Sequence, residues 1–352
     1  MFDHFVGWLG NELVAASSSL LDKSKRVSLW YLLSALLFAW GVLAIRYGHD
    51  GWSRLQPYLS WRVWWHRSAR TDYLLWFANR LALAVLIPKT LTQAVWISWL
   101  YFYWQEAGIG DAQLGWPTSI VIVVFTLCYF FVDDFSRFFV HWCMHKSPWL
   151  WAFHQVHHSA KVLTPFTVFR THPVEGLLFF LRSMTSQSLV ISVFLVVFPN
   201  QVSLWQIYGV LVTTFLFNAL GANLRHSGVA LSYGQRIEKW FISPAQHQVH
   251  HSNLNQHYDR NFGVALAIWD RMFGSWEPGH DNQMIRFGTN QAIDNMGMLG
   301  QWCQPFKDIY ELFQARLKRV RIWLVSLQKK TPHTMALWKA PQTGKSVLKQ
   351  DK

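Results

Sequence analysis

The chain has 352 residues, of which 51% are hydrophobic, 17% aromatic and only 14% charged, and its formal net charge is +13. So many apolar and aromatic side chains with so few charges are not typical of a soluble domain and indicate an integral membrane protein. Lysine and arginine gather at the ends of apolar runs, where they can contact anionic lipid headgroups, and no nucleic-acid-binding motif accompanies them. A nucleic-acid partner is therefore excluded.

Long apolar runs predict the membrane spans. Residues 27–45 contain no charge and are long enough to cross the hydrocarbon core of a bilayer. Residues 73–104 predict one span plus an interfacial or re-entrant segment, because Arg80, Pro88 and Lys89 interrupt the run. The remaining runs predict one further span and a helical hairpin that turns at Pro199-Asn200; they are residues 116–132, 184–198 and 202–220. We therefore expect about four spanning helices.

The ends of the chain give weaker information about orientation. The first 20 residues lack the basic and apolar pattern of a cleavable signal peptide, so the first span is expected to act as the targeting signal. Basic residues flank that span on both sides. The basic C-terminal tail favours a cytoplasmic end, and with it an active site that faces the cytoplasm.

One six-residue string, His-Gln-Val-His-His-Ser, occurs twice, at residues 154–159 and 247–252. Each copy follows a Ser-Pro pair, which is a typical start of a helix. On a helix, positions i, i+3 and i+4 share one face, so the histidines of each copy are expected to converge. An HxxxH pair precedes the first copy. The eight histidines of these three groups are His141 and His145; His154, His157 and His158; and His247, His250 and His251.

These histidines predict a metal site at the membrane–water boundary. Neutral imidazole binds iron, zinc, copper and nickel, so the ligand type does not identify the metal. A zinc site uses three or four protein ligands, and eight clustered histidines are enough for two metal ions. Asp133 and Asp134, at the end of the apolar run 116–132, are candidates to accept a hydrogen bond from a ligand, and Asp134, two helical turns before His141, is expected to be catalytic. Weaker candidates for the acceptor are Glu175, Asp259 and Asp270.

The histidine pattern resembles the fatty acid hydroxylase / sterol desaturase superfamily of membrane diiron oxygenases. The resemblance covers roughly residues 120–280, and one departure is Trp142, where an arginine is common. It rests on the three histidine groups and on three further motifs, Arg170-Thr171-His172-Pro173, Asn223-Leu224-Arg225-His226-Ser227-Gly228 and Trp269-Asp270-Arg271-Met272-Phe273-Gly274. It implies that His172 and His226 join the eight clustered histidines as ligands of two iron ions.

What the resemblance implies is O2-dependent hydroxylation or desaturation of an unactivated C–H bond in a membrane lipid, such as a sterol or a fatty acyl chain. Ether-lipid cleavage by a monooxygenase of the same superfamily is the alternative. A metal-dependent membrane hydrolase is less favoured, because no histidine group contains the glutamate of an HExxH motif. No haem, flavin or cysteine-cluster motif is present, so we expect an external electron donor that is cytochrome b5-like or ferredoxin-like.

The expected architecture is an all-α, multi-pass integral membrane protein whose cytosolic helical cap carries the two-metal site. We expect three regions. Residues 1–115 supply membrane-anchoring and interfacial helices, residues 116–280 form a fatty acid hydroxylase-like catalytic domain, and residues 281–352 form a basic amphipathic helix and a polar tail.

Overall fold

The computed structural model describes residues 2–330, except for residues 19, 23–24, 89, 112–113, 203–221 and 281–284. The described residues form α-helices, short 3₁₀ turns and loops, with two isolated bridge pairs and no strand, which confirms the all-α prediction. In chain order the helices are α1 Phe2–Ser18, α2 Leu29–Tyr47, α3 Asp50–Leu55, α4 Trp61–Trp64, α5 Arg67–Leu86, α6 Gln93–Glu106, α7 Thr118–Lys146, α8 Pro148–His158, α9 Pro173–Val197, α10 Gln235–Glu238, α11 Pro244–His250, α12 Ile268–Phe273 and α13 Met298–Lys330.

Three of the described helices, α2, α7 and α9, are long and apolar enough to cross a membrane. They coincide with the predicted runs at 27–45, 116–132 and 184–198. The run at 202–220 lies, apart from its first residue, outside the described residues. The run at 73–104 divides between α5, which carries four charged side chains, and α6, which has 14 residues, and neither is a candidate span.

The helices α6, α7 and α9 pack side by side. The rings of Phe125 on α7 and Phe194 on α9 meet edge to face with centroids 5.3 Å apart. Trp104 of α6 donates a hydrogen bond from Nε1 to Ser192 Oγ of α9 over 3.0 Å. Close packing and such interhelical hydrogen bonds hold helices together where lipid surrounds them. As a result, the last turn of α7 and the first turn of α9 lie at the same end of the pair, and both reach the histidines.

Asp133 belongs to this helix pair and not to the histidine site. Its carboxylate accepts hydrogen bonds from Arg137 Nε and Arg182 Nη1, each over 2.8 Å. Gln187 Nε2 donates a third over 3.0 Å. A carboxylate at the end of an apolar run needs such partners, and here it joins α7 to α9.

The chain divides into two compact units, Met1–Pro305 and Phe306–Lys352. In the second unit, the described residues 306–330 are the continuation of α13. Apolar residues recur there every three or four positions, at Phe306, Tyr310, Phe313 and Leu317, and basic residues follow between 316 and 321. This part of the chain is thus a basic amphipathic helix. The division at residues 115 and 280 stays a prediction.

Candidate metal centre

Among the described residues, nine histidines converge in two groups that can each hold a metal ion. Within each group, the ligand nitrogens lie within 4.8 Å of one another. Eight of the nine side chains are buried and His145 is partly exposed. Site A contains His141, His145, His154, His158 and His250, and site B contains His157, His226, His247 and His251.

The two copies of the repeated string are shared between the sites in opposite ways. In the first copy, on α8, the i and i+4 histidines belong to site A and His157 belongs to site B. In the second copy, on α11 and its C-cap, the i and i+4 histidines belong to site B and His250 belongs to site A. Each string therefore spans both sites, which corrects the expectation that its three histidines form a single group.

Site A fits a metal ion. The Nε2 atoms of all five of its histidines are buried, and none has a hydrogen-bond partner among the described residues. Buried polar atoms without partners are rare, because burial removes their hydrogen bonds to water and no hydrogen bond within the protein replaces them. Burial lowers the pKa of His154, His158 and His250 well below the ordinary histidine value. Their rings are therefore neutral, as metal binding requires.

Site B fits a metal ion by a different observation. His226 Nε2 lies 3.2 Å from His157 Nε2 and 3.0 Å from His247 Nε2. Two neighbouring ligands on one ion, each with a bond of about 2.1 Å, are separated by about 3 Å. His251 Nε2 is buried and has no hydrogen-bond partner in the described part of the chain. Burial lowers the pKa of His157 to about 3, which keeps this ring neutral as well.

Four ligands are oriented through Nδ1 by a named acceptor. An acceptor at Nδ1 places the proton there and leaves the Nε2 lone pair to the metal. Three of the acceptors are backbone carbonyls and one is a buried carboxylate. The pairs are His141 with Phe262 O at 2.8 Å, His157 with Arg170 O at 3.2 Å, His250 with Arg260 O at 2.7 Å, and His154 with Glu175 Oε1 at 3.0 Å.

The hydrogen bonds of the Asp134 carboxylate run to a neighbouring loop and helix and not to a histidine ligand, and its catalytic role stays a prediction. Its carboxylate accepts hydrogen bonds from Ala265 N at 2.9 Å, Leu266 N at 3.1 Å and Trp269 Nε1 at 2.9 Å. Seven residues of helix amount to about 10 Å, so Asp134 lies beyond hydrogen-bond reach of the His141 ring. It holds the loop whose Phe262 carbonyl orients that ring.

The structure also shows which groups the weaker carboxylate candidates contact. Asp270 accepts hydrogen bonds from Phe262 N at 2.7 Å and Gly263 N at 2.8 Å, and burial raises its pKa to about 6. Asp259 lies 3.5 Å from His145 Nδ1 and forms an ion pair with Lys146. Glu175 has the most direct role, because it is buried and contacts His154 itself.

His172 lies outside both sites. Its Nδ1 accepts a hydrogen bond from Val174 N over 3.1 Å, and its Nε2 lies 3.1 Å from the carbonyl of Trp302. Both ring nitrogens are thus engaged, and the residue caps the start of α9. Pro173 at the first helical position is the sequence signal for this arrangement. The structure brings together nine of the ten expected ligands, without His172.

A buried ion pair supports site B and was missed from the sequence. Arg170 donates from Nε to Asp72 Oδ1 of α5 over 2.6 Å and from Nη1 to Ser159 Oγ over 2.8 Å. Asp72 also accepts from Thr167 Oγ1 over 2.6 Å. The carbonyl of the same Arg170 orients His157. The two partners are 98 residues apart, so no local pattern could have paired them.

Replacing Glu175 with alanine is expected to weaken metal binding at site A by about 10- to 100-fold, because His154 loses the acceptor that fixes its tautomer and ring orientation. Metal titration of the purified, metal-free protein measures this effect. Glu175→Gln keeps an acceptor oxygen and should retain most of the affinity, and Glu106→Ala, at an exposed position, is the matched control. Unchanged affinity in Glu175→Ala would show that the contact does not orient the ligand.

Comparison with known proteins agrees with the site. Residues 126–275 match the model of the fatty acid hydroxylase family. Lathosterol oxidase of Mus musculus is 27% identical over 188 residues, which are 53% of this chain and 55% of the relative. Ornithine lipid hydroxylase OlsE of Rhizobium tropici is 27% identical over 191 residues, 54% of this chain and 52% of the relative. Alkylglycerol monooxygenase of Homo sapiens is 27% identical over 161 residues, 46% of this chain and 32% of the relative.

The chain spans about half the length of the first two relatives. No solved structure gives a significant match. All nine histidines of sites A and B lie within the matched residues 126–275. This segment is therefore similar to the fatty acid hydroxylase family, which confirms the resemblance that the histidine motifs indicate.

Proposed function

We propose that this protein is an O2-dependent membrane oxidoreductase that hydroxylates or desaturates an unactivated C–H bond of a membrane lipid, with one iron ion in each site. The observation that carries the proposal is the pair of adjacent sites built from five and four histidines. The three relatives are an oxidase, a hydroxylase and a monooxygenase by name, which supports the same class of reaction. The relative called alkylglycerol monooxygenase keeps ether-lipid cleavage as the alternative within this class.

Two iron ions bound at these sites would supply the redox chemistry that activates O2. Hydroxylation converts R–H, O2, two electrons and two protons into R–OH and water. Desaturation consumes the same O2, electrons and protons and gives an alkene and two waters. The electrons come from an external one-electron donor, cytochrome b5-like or ferredoxin-like. We place the site on the cytoplasmic side, where such donors operate, in keeping with the basic C-terminal tail.

The chain's own residues hold this centre and restrict its chemistry. Backbone carbonyls and Glu175 keep protons on Nδ1, so the Nε2 atoms face the metals. A hydrolase would need a carboxylate base beside the metal. Glu175 is buried against His154, and Asp259 is paired with Lys146, so neither is placed as such a base.

The test is to measure metals and products together. Full-length protein purified in detergent should contain close to two irons per chain, matching its two histidine groups. Lipid extracts of cells with the gene, compared with extracts of cells without it, should contain a lipid that has gained one oxygen or lost two hydrogens. Folded protein without bound metal, or identical lipid extracts from an actively expressing strain, would contradict the proposal.

A further inference from the structure

The lipid-facing side of α7 extends to the edge of the hydrocarbon core. A core of about 30 Å takes about 20 residues of helix, so α7, whose first residue is Thr118, leaves it near Arg137. Apolar side chains on one side of α7 are exposed at intervals of three or four residues along this length. They are Ile120, Val123, Leu127, Phe131, Phe135 and Phe139. The end of this stripe therefore lies at the depth of the lipid headgroups.

Helix α12 packs beside the end of the stripe. The ring of Trp269 meets that of Phe135 edge to face, with centroids 5.0 Å apart. Phe273, at the other end of α12, contacts Trp142 of α7, with centroids 5.6 Å apart. Since both partners belong to the part of α7 that leaves the hydrocarbon core, α12 lies at the same depth.

Residues 235–241, which contain α10, lie next to α12. Ala267 N, immediately before α12, donates a hydrogen bond to Trp240 O over 2.8 Å. The guanidinium of Arg271, on α12, lies over the ring of Trp240, 5.5 Å from its centroid. The two segments therefore form one surface beside α7, which we call the α10–α12 patch.

The α10–α12 patch is both apolar and basic. Its large apolar side chains are 41% exposed or more, and they are Ile237, Trp240, Phe241, Met272 and Phe273. Its exposed charged side chains are all basic, and they are Arg236, Lys239 and Arg271. The two acids of these segments, Glu238 and Asp270, are fully buried. Aromatic side chains beside exposed cations are typical of protein surfaces at the membrane–water interface, where the cations attract anionic lipids.

We propose that the α10–α12 patch docks onto the surface of the bilayer, with its apolar side chains among the upper methylene groups and its basic side chains on the phosphates of anionic lipids. Two observations favour a lipid surface over a second copy of the chain. The patch continues the lipid-facing stripe of α7, and in a symmetric dimer its three like charges would face the same charges of the other copy. The patch contains no histidine of either site, so the inference does not depend on the proposed function.

The first experiment measures the depth of the patch in a bilayer. Full-length protein whose three cysteines are replaced by alanine receives one new cysteine, in Met272→Cys, which carries a fluorophore. It is placed, one chain per disc, in nanodiscs that contain phosphatidylglycerol and lipids with a spin label below the headgroup. We expect the spin label to quench the fluorophore strongly, as it should in Leu127→Cys on the stripe of α7. Ala292→Cys, exposed in a polar pocket with Lys161 and Arg286, is the control and should stay unquenched.

Two outcomes of this experiment would overturn the proposal. The first is a label at position 272 that is quenched as little as the label at position 292, in protein that elutes as a single species. The patch would then lie in water. The second is a label at position 272 that is shielded from water only when two chains share a disc, which would identify a second copy as the partner of the patch.

The second experiment tests the basic side chains. Quenching at position 272 should fall when phosphatidylcholine replaces the anionic lipid, and also when the salt concentration is raised, because both changes weaken the attraction of the cations to the membrane. The combined variant Arg236→Gln, Lys239→Gln and Arg271→Gln should lose this dependence on lipid charge. Arg286→Gln, at an exposed position outside the patch, is the matched control and should keep it. Equal quenching of the unsubstituted patch in both lipids would overturn the proposal that it binds anionic lipid.

Discussion

The His250→Ala variant is expected to lose the metal of site A and at least about 100-fold in lipid-oxidation activity, while the chain still folds and inserts into the membrane. The ring of His250 lies close to the rings of three other ligands of site A. Its ring centroid lies 4.6 Å from that of His141, 4.8 Å from His145 and 4.7 Å from His158. Without His250, site A lacks the ligand that α11 contributes.

Metal analysis of purified His250→Ala should give about one metal ion per chain, because site B keeps all four of its histidines. His158→Ala, which removes a site A ligand from α8, should behave in the same way. His280→Ala is the control, since His280 is exposed and belongs to neither site. Retained turnover in either ligand variant, with a normal metal content, would contradict the assignment of site A.

The helices that carry the histidines could be predicted from the sequence because their signals are local. Ser147-Pro148 and Ser243-Pro244 begin α8 and α11, as expected. The capping box between Ser243 and Gln246 is present, with both hydrogen bonds formed. A helix start and a spacing of three or four residues depend on neighbouring residues only. This is enough to bring the histidines of one string onto one face.

The distribution of the histidines between two sites could not be predicted in this way. One helical face is wide enough for the i and i+3 side chains to point towards different metal sites. The angle at which α8 and α11 meet decides which site each histidine reaches. Three of the four groups that accept a hydrogen bond from a ligand's Nδ1 could not be predicted either, whereas Glu175 was among the candidates. Phe262 and Arg260 act through backbone carbonyls, which every residue type possesses. Asp134, chosen for its charge and spacing, supports the loop that carries Phe262.

The Asp72→Leu variant is expected to lower the free energy of unfolding by about 3–5 kcal/mol, because it leaves the Arg170 guanidinium buried without its counter-charge. Arg170 is 1% exposed and Asp72 is fully buried. Thr167 would lose its acceptor at the same time. The thermal stability of the purified protein, followed by size-exclusion chromatography after heating, should fall accordingly. Metal retention in site B should fall with it, because the Arg170 carbonyl orients His157.

A second substitution separates the buried charge from the loss of packing. In Asp72→Leu combined with Arg170→Met, no charge is left unpaired, so we expect this double variant to be more stable than Asp72→Leu alone. Equal instability of the two variants would show that the carboxylate matters through Thr167 and packing, and not through the ion pair. Asp72 lies on α5, outside the matched segment 126–275. Recovery in the double variant would therefore show that the instability of Asp72→Leu comes from the Arg170 charge that is left buried without its partner on α5.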